Sequence, residues 1–196
     1  AEFVKAADFL NGTEVQTDIA MHFTSLNWNL FACQPWIDGF RYDDRILTDF
    51  YHPLIGMGAR VDVIGSRKKL DSYKILLSPY MMTLEEGNLA ERIEEWVKNG
   101  GVWIVGPMTD QRNSIGTHYT DRAMGMLERL TGARLAFSAP DRGAYIKASW
   151  QDGATFTGNL WFEMYDTSQE NTLVTVTGLH SAIKGKSLVM SFPVGR

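Results

Sequence analysis

Residues 83–105 read TLEEGNLAERIEEWVKNGGVWIV, and the reading of this stretch decides the fold. Leu89, Ile93, Trp96 and Val97 fall at i, i+4, i+7 and i+8, which puts one apolar stripe along a helix. Thr83 and Glu86 have the T-x-x-E spacing of a capping box, in which each side chain satisfies the other's free backbone N–H. Lys98 complements the carbonyl end of the helix dipole, and Gly100 or Gly101 supplies a left-handed cap. Val102–Val105 (VWIV) is then an apolar run of strand length with no polar face, the mark of a buried strand in a parallel sheet.

Working outward, two more β-branched or apolar runs precede this unit: Arg60–Ile64 (RVDVI) and Lys74–Ser78 (KILLS), the second stopped by Pro79. A further run, Asp18–Phe23 (DIAMHF), lies nearer the amino terminus. Between the first two strands, Ile46, Leu47, Phe50, Leu54 and Ile55 have helical spacing over 43–58, with Pro53 expected to kink or end that helix. Strands separated by helices imply a mostly parallel sheet covered on both faces, because parallel strands need long crossovers. Another helix is expected over 120–131, with Ala123, Leu127 and Leu130 on one face and Gly132 as its cap. Beyond Ala133 the pattern changes to short strands (AYIKASW, NTLVTVTG, SLVMSF) between turns at Asp152-Gly153, Gly158-Asn159 and Lys184-Gly185, which predicts antiparallel or mixed pairing in the last third. The leading AEFVKAADFLNGTE is too charged for a signal peptide and reads as the tail of a helix.

Composition narrows the function. At 196 residues and 44% hydrophobic content the chain suits one domain with a full core. A formal charge of −4 with no basic cluster argues against nucleic-acid binding. No apolar run approaches the roughly 20 residues that span a bilayer. The lone cysteine, Cys33, permits no internal disulfide, which fits a reducing, cytoplasmic setting, although secreted domains also do without disulfides.

A search for chemistry returns little. Cys33 sits in FACQP without the small neighbours that a strained nucleophile elbow needs, so it reads as a small thiol packed wholly or partly into the core. His22, His52, His118 and His180 show no metal-ligand spacing, and His22 reads as a satisfied core histidine. Gly185-Lys186-Ser187 lacks the earlier glycine of a phosphate loop, where His180 stands, and Gly56-x-Gly58 lacks the third glycine of a dinucleotide site. Glu163, in LWFEMY, is the least solvated-looking acid and reads as a strand residue with a local partner rather than a catalytic acid. No cofactor or metal is expected. Two stretches follow the carboxyl ends of predicted strands, where open α/β sheets collect ligands and partners. They are the aromatic loop 27–42, with Trp28, Trp36 and Tyr42, and the polar segment 109–121, with Asp110, Arg112 and His118. The aromatics are either a core packed on itself or an interface or sugar-facing rim.

Several of these features together resemble one family. Trp28 after the first strand, FYHPLIGMGARVDVI at 50–64, LDSYKILLSPYMMTL at 70–84, WVKNGGVWIVGP at 96–107 and MLERLTGARL at 126–135 occur in order over about two-thirds of the chain. The chain resembles the middle, or trimerisation, domain of the glycoside hydrolase family 42 beta-galactosidases. The resemblance implies an α/β fold, flavodoxin-like and similar to class I glutamine amidotransferases, a three-layer sandwich without the nucleophile, with extra β-strands in the last third. It implies that 1–196 form a single domain of a longer hydrolase whose catalytic glutamates sit on a preceding (β/α)₈ barrel, itself roughly 250 residues. The expected partners are two further copies, in a homotrimer, and the barrel of the parent chain, with no nucleic acid and no membrane. The expected role is non-catalytic assembly that frames the active site, with Trp28, Trp36, Tyr42, Asp110, Arg112 and His118 as the interface or sugar-rim candidates. A free-standing amidotransferase-like enzyme and a non-catalytic sugar-binding module are the alternatives.

Overall fold

The computed structural model describes residues 2–13, 15–34, 36–37, 39–141, 146–158, 160–177 and 186–193. Asn159, His180, Lys184 and Gly185, which figure in the readings above, lie outside the described residues. Helix α1 (Glu2–Leu10) is followed by β1 (Ile19–His22), α2 (Ser25–Cys33), α3 (Tyr42–Ile46) and α4 (His52–Gly56). Next come β2 (Val61–Ile64), β3 (Ile75–Ser78), α5 (Leu89–Lys98), β4 (Val102–Val105) and α6 (Met126–Thr131). Six strands complete the chain: β5 (Arg134–Asp141), β6 (Lys147–Trp150), β7 (Thr155–Thr157), β8 (Leu160–Asp166), β9 (Thr172–Val176) and β10 (Ser187–Met190).

The first four strands form a wholly parallel sheet in the order β2-β1-β3-β4. Side chains alternate across a strand, so neighbouring residues feed different cores. Ala20 and Leu76 pack with Leu89, Ile93 and Trp96 of α5 on one face. Met21 and Leu77 pack with Leu30, Phe31, Tyr42 and Ile46 of α2 and α3 on the other. Three layers result. The last six strands form an antiparallel sheet in the order β5-β8-β10-β9-β6-β7. The mixed architecture read from the sequence is therefore present, and the final third is a sheet of its own rather than an edge of the first.

The stretch that decided the fold holds in outline and differs in three details. Helix α5 buries Leu89, Ile93 and Trp96 as its spacing requires. Gly100 adopts φ +101°, and a Cβ on Gly101 would fall 2.3 Å from the Trp96 ring, so the Gly-Gly pair is a close-approach requirement as well as a cap. The capping box does not form. Gly87 and Asn88 take positive φ and break the chain between Thr83 and the helix, so Thr83 Oγ1 accepts from the Glu85 N–H at 3.3 Å instead. Strand β4 is not buried: it lies at the sheet edge, with Val102 and Ile104 54% and 49% exposed.

Other expectations are corrected as well. The aromatic loop from residue 27 is helical as far as Cys33, and Thr24 caps that helix by accepting from the Asn27 N–H at 3.3 Å. Cys33 is exposed on it rather than packed in the core. Pro53 does not end the second helical stretch, but the α-helical hydrogen-bonding pattern is interrupted just before it. A π-turn at Leu47–Tyr51 precedes it, and this wider turn accommodates the missing N–H and the ring at the start of α4. The helix expected over 120–131 is confined to Met126–Thr131, where Gly132 does form its left-handed cap.

Candidate assembly site at the carboxyl edge of the sheet

The carboxyl ends of the parallel strands carry three of the five non-glycine residues with positive φ among the described residues. Tyr80 after β3, and Met108 and Asp110 after β4, all have positive φ (52°, 63° and 61°) although none is glycine. Such conformations persist only where the surroundings over-determine them. Three sets of contacts do so here. Buried Asn27 on α2 donates to Thr24 Oγ1 at 2.8 Å and accepts from the Thr83 N–H at 3.3 Å, which joins α2 to the loop after β3. Backbone N–H groups of Asp110 and Arg112 donate to the carbonyls of Met81 and Met82, each at 2.9 Å, joining the loops after β3 and β4. Glu163 of β8 reaches across from the antiparallel sheet, where one of its oxygens accepts from the Met108 N–H at 2.8 Å and from Gln111 Nε2 at 2.6 Å.

The 109–121 segment is braced rather than loose. Asn113 Oδ1 accepts from the N–H groups of Ile115 and Thr117 at 3.2 and 2.9 Å, and Glu85 accepts from the Ser114 N–H at 2.8 Å. Arg112 pairs with His118 through an isolated β-bridge. Its guanidinium donates to the Gly116 carbonyl at 2.9 Å and to the Gln34 side chain, tying the segment to the end of α2. Partial desolvation, with the Arg112 charge nearby, lowers the pKa of His118.

The six predicted residues thus divide. Trp28 points outward from α2, 46% exposed. Arg112 and His118 lie together in the braced segment beside α2. Tyr42 is placed in the core, 2% exposed and stacked on Phe31 at 5.2 Å. Trp36 is half-buried in an aromatic cluster that reaches Phe40 at 5.0 Å, Tyr80 at 6.4 Å and, in the antiparallel sheet, Trp161 at 4.3 Å. Asp110 turns inward, 2% exposed, and its carboxylate accepts from the Leu127 N–H at 2.8 Å, capping α6. Asn27, Glu85 and Gln111 are structural members of this edge that spacing did not flag. The Thr24-x-x-Asn27 cap spacing was the one available signal for Asn27.

His22 and Glu163 are buried, and among the described residues their polar side-chain atoms are hydrogen-bonded except His22 Nε2, which has no partner. His22 is fully buried with Nδ1 at 2.8 Å from Ser78 Oγ, which also accepts from Trp103 Nε1 at 2.8 Å. A cleft of about 1210 Å³ lies between β4 and the antiparallel sheet, walled by Ile104, Leu127, Phe156 and Trp161. The acid in its lining is Glu163, whose oxygens are occupied. Among the described residues no group of three or more His, Cys, Asp or Glu side chains could hold a metal ion. Among the described residues no helix is long and apolar enough to cross a membrane.

Two buried groups should give opposing pH dependences. Burial, with Arg92 nearby, lowers His22 from 6.5 to about 4. The unfolded chain then binds the extra proton between those values, and stability falls as pH drops through the window. Burial raises Asp110 from 3.8 to about 6. There the folded chain holds the extra proton, and stability falls as pH rises from 3.8 to about 6. Asp110→Asn keeps an oxygen for the Leu127 N–H but removes the second dependence. Relative to the native chain, the variant should gain about 2 kcal/mol between pH 4 and 6, and about 3 kcal/mol once pH has passed well beyond both values, because each pH unit of displacement is worth about 1.4 kcal/mol. Urea unfolding at a series of pH values measures this, and a difference that stays flat with pH would refute it.

Comparison with known proteins agrees with this architecture. A family model described as the beta-galactosidase trimerisation domain matches residues 17–195. The beta-galactosidase YesZ of Bacillus subtilis is 29% identical over 167 residues, covering 85% of this chain and 25% of that protein. The corresponding enzyme of Bacillus licheniformis is 36% identical over 95 residues, 48% of this chain and 14% of that one. Among solved structures, a polyextremophilic beta-galactosidase from the Antarctic haloarchaeon Halorubrum lacusprofundi superposes with a TM-score of 0.83 at 21% identity, covering 94% of this chain and 27% of that one. The beta-galactosidase from Bacillus circulans sp. alkalophilus superposes at 0.80 and 17% identity, with 92% and 27% covered. The chain spans a quarter or less of the length of these two curated relatives. With the family model spanning all but the first 16 residues and the last, the chain belongs to the beta-galactosidase trimerisation domain family.

Proposed function

We propose that this chain is the non-catalytic assembly domain of a larger, cytoplasmic beta-galactosidase-type glycoside hydrolase, and that it forms a homotrimer whose sheet-end loops rim the active site. On this reading residues 1–196 are one domain with a class I glutamine amidotransferase-like core, and the glutamates that cleave the glycosidic bond lie elsewhere in the parent chain. One observation carries the proposal. At the edge where α/β sheets meet ligands and partners, His22 Nδ1, Ser78 Oγ and the Asp110 carboxylate are buried and hydrogen-bonded, while Trp28 stands exposed on a helix pinned by Asn27 and Gln34. A rigid scaffold presenting an exposed indole suits an interface, because Trp adds large contact area at low entropic cost.

Sedimentation equilibrium of the 196-residue chain over a wide concentration range tests this. The expected result is a reversible monomer–trimer equilibrium. A chain that stays monomeric to the highest concentrations would place the assembly energy in the rest of the parent and remove this role from the isolated domain.

A further inference from the structure

The chain contains two Asn-Gly pairs, Asn11-Gly12 and Asn99-Gly100, and the related pair Asn113-Ser114. In such pairs the backbone nitrogen of the following residue can attack the asparagine side-chain carbonyl. The new C–N bond closes a five-membered succinimide, the C–NH₂ bond breaks, and ammonia leaves. Water then opens the ring at either carbonyl, giving aspartate or isoaspartate. The step needs a following N–H that is not engaged elsewhere, a side chain free to rotate onto it, and a backbone loose enough to close the ring.

The three sites differ in these respects. At Asn99, the residue's own N–H donates to the Glu95 carbonyl at 3.0 Å, and the attacking N–H of Gly100 is held by the Val97 carbonyl at 2.9 Å. At Asn113, the side-chain oxygen accepts two backbone N–H groups, and the attacking N–H of Ser114 is held by Glu85 at 2.8 Å. Asn11 is different. It sits in the exposed turn after α1, its neighbour Gly12 has φ +81° with no atom within 4 Å of the Cβ position, and the Gly12 N–H makes no hydrogen bond among the described residues. Helix α1 itself has no buried residue to restrain the turn.

We infer that Asn11 is a site of spontaneous deamidation, and that the fold protects Asn99 and Asn113 from the same reaction. The product places a carboxylate beside the carbonyl end of α1 and near Asp8, where the helix dipole and like charge both disfavour it. An isoaspartate also lengthens the backbone between α1 and β1.

The test is to incubate the intact, folded chain at mildly alkaline pH and map its tryptic peptides by mass spectrometry. A parallel sample is held unfolded in urea. In the folded sample the peptide beginning at Ala6 should gain the mass of an Asn-to-Asp conversion, with fragment ions locating it at Asn11. The peptides beginning at Asn99 and Asn113 should stay unchanged. In urea Asn99 should convert at a rate approaching that of Asn11. Equal conversion of Asn11 and Asn99 in the folded chain would overturn the inference, as would an Asn11 that stays intact while converting in urea.

Discussion

Glu163→Leu should destabilise the chain by about 4 kcal/mol, the largest loss expected from any substitution outside the two main cores. Glu163 is 5% exposed, and all its hydrogen-bond partners are donors. One carboxylate oxygen accepts from the Met108 N–H at 2.8 Å, from Gln111 Nε2 at 2.6 Å and from Trp161 Nε1 at 3.1 Å. The other accepts from the Tyr165 hydroxyl at 2.6 Å, and burial beside this acid raises the Tyr165 pKa. Leucine fills similar space but leaves these donors without an acceptor, and each stranded buried polar group costs roughly 1–3 kcal/mol. Glu163→Gln should cost less, about 2 kcal/mol, because the amide oxygen serves the three-donor side and the Tyr165 hydroxyl can turn to accept from the new NH₂. Urea unfolding gives both values, and amide exchange at Met108 reports whether the loop after β4 has come loose. If the leucine variant matched the native chain, Glu163 would not be what joins the two sheets.

How much of this edge was legible from sequence depends on which signals are local. Helix α5 and its Gly-Gly exit were readable because the apolar stripe, the basic last turn and the glycines agree. The capping box failed for a tertiary reason: Thr83 is buried against Asn27 and caps its own short turn, while Gly87 and Asn88 take up the left-handed conformations that start α5. Helix α2 leaves no periodic signal in the sequence because its apolar residues do not form a stripe. Leu30 and Phe31 face the core while Trp28 faces out, so periodicity had nothing to detect. Strand β4 read as buried because VWIV is apolar throughout, but apolar content does not say whether a strand is central or at an edge. Strand β5 is absent from the strands read in the sequence, and it lies at the edge of its sheet, where Pro140 is tolerated. For the candidate site, the sequence located both loops, but burial separates their residues. Tyr42 and Asp110 turn inward, Trp36 bridges to Trp161, and Trp28 remains as the exposed aromatic of the six.

That separation makes Trp28→Ala the most informative test of assembly. Trp28 belongs to neither main core cluster and is nearly half exposed, so its loss should leave the monomer's far-UV spectrum and urea midpoint almost unchanged. A tryptophan at the centre of an interface contributes about 2 kcal/mol or more. A closed trimer repeats one head-to-tail contact three times, so the variant should lose about 6 kcal/mol of assembly energy in total. The concentration at which half the chains are trimeric varies as the square root of the overall dissociation constant, so it should rise roughly a hundredfold. Ile115→Ser, at the 80%-exposed tip of the braced segment, separates the two loops. A shift with Trp28→Ala alone would make α2 the contact, whereas a shift with both would make the whole carboxyl edge the interface. If the trimer formed undiminished without the indole, the contact would lie on another face, and the exposed edge strand β4 would be the next surface to test.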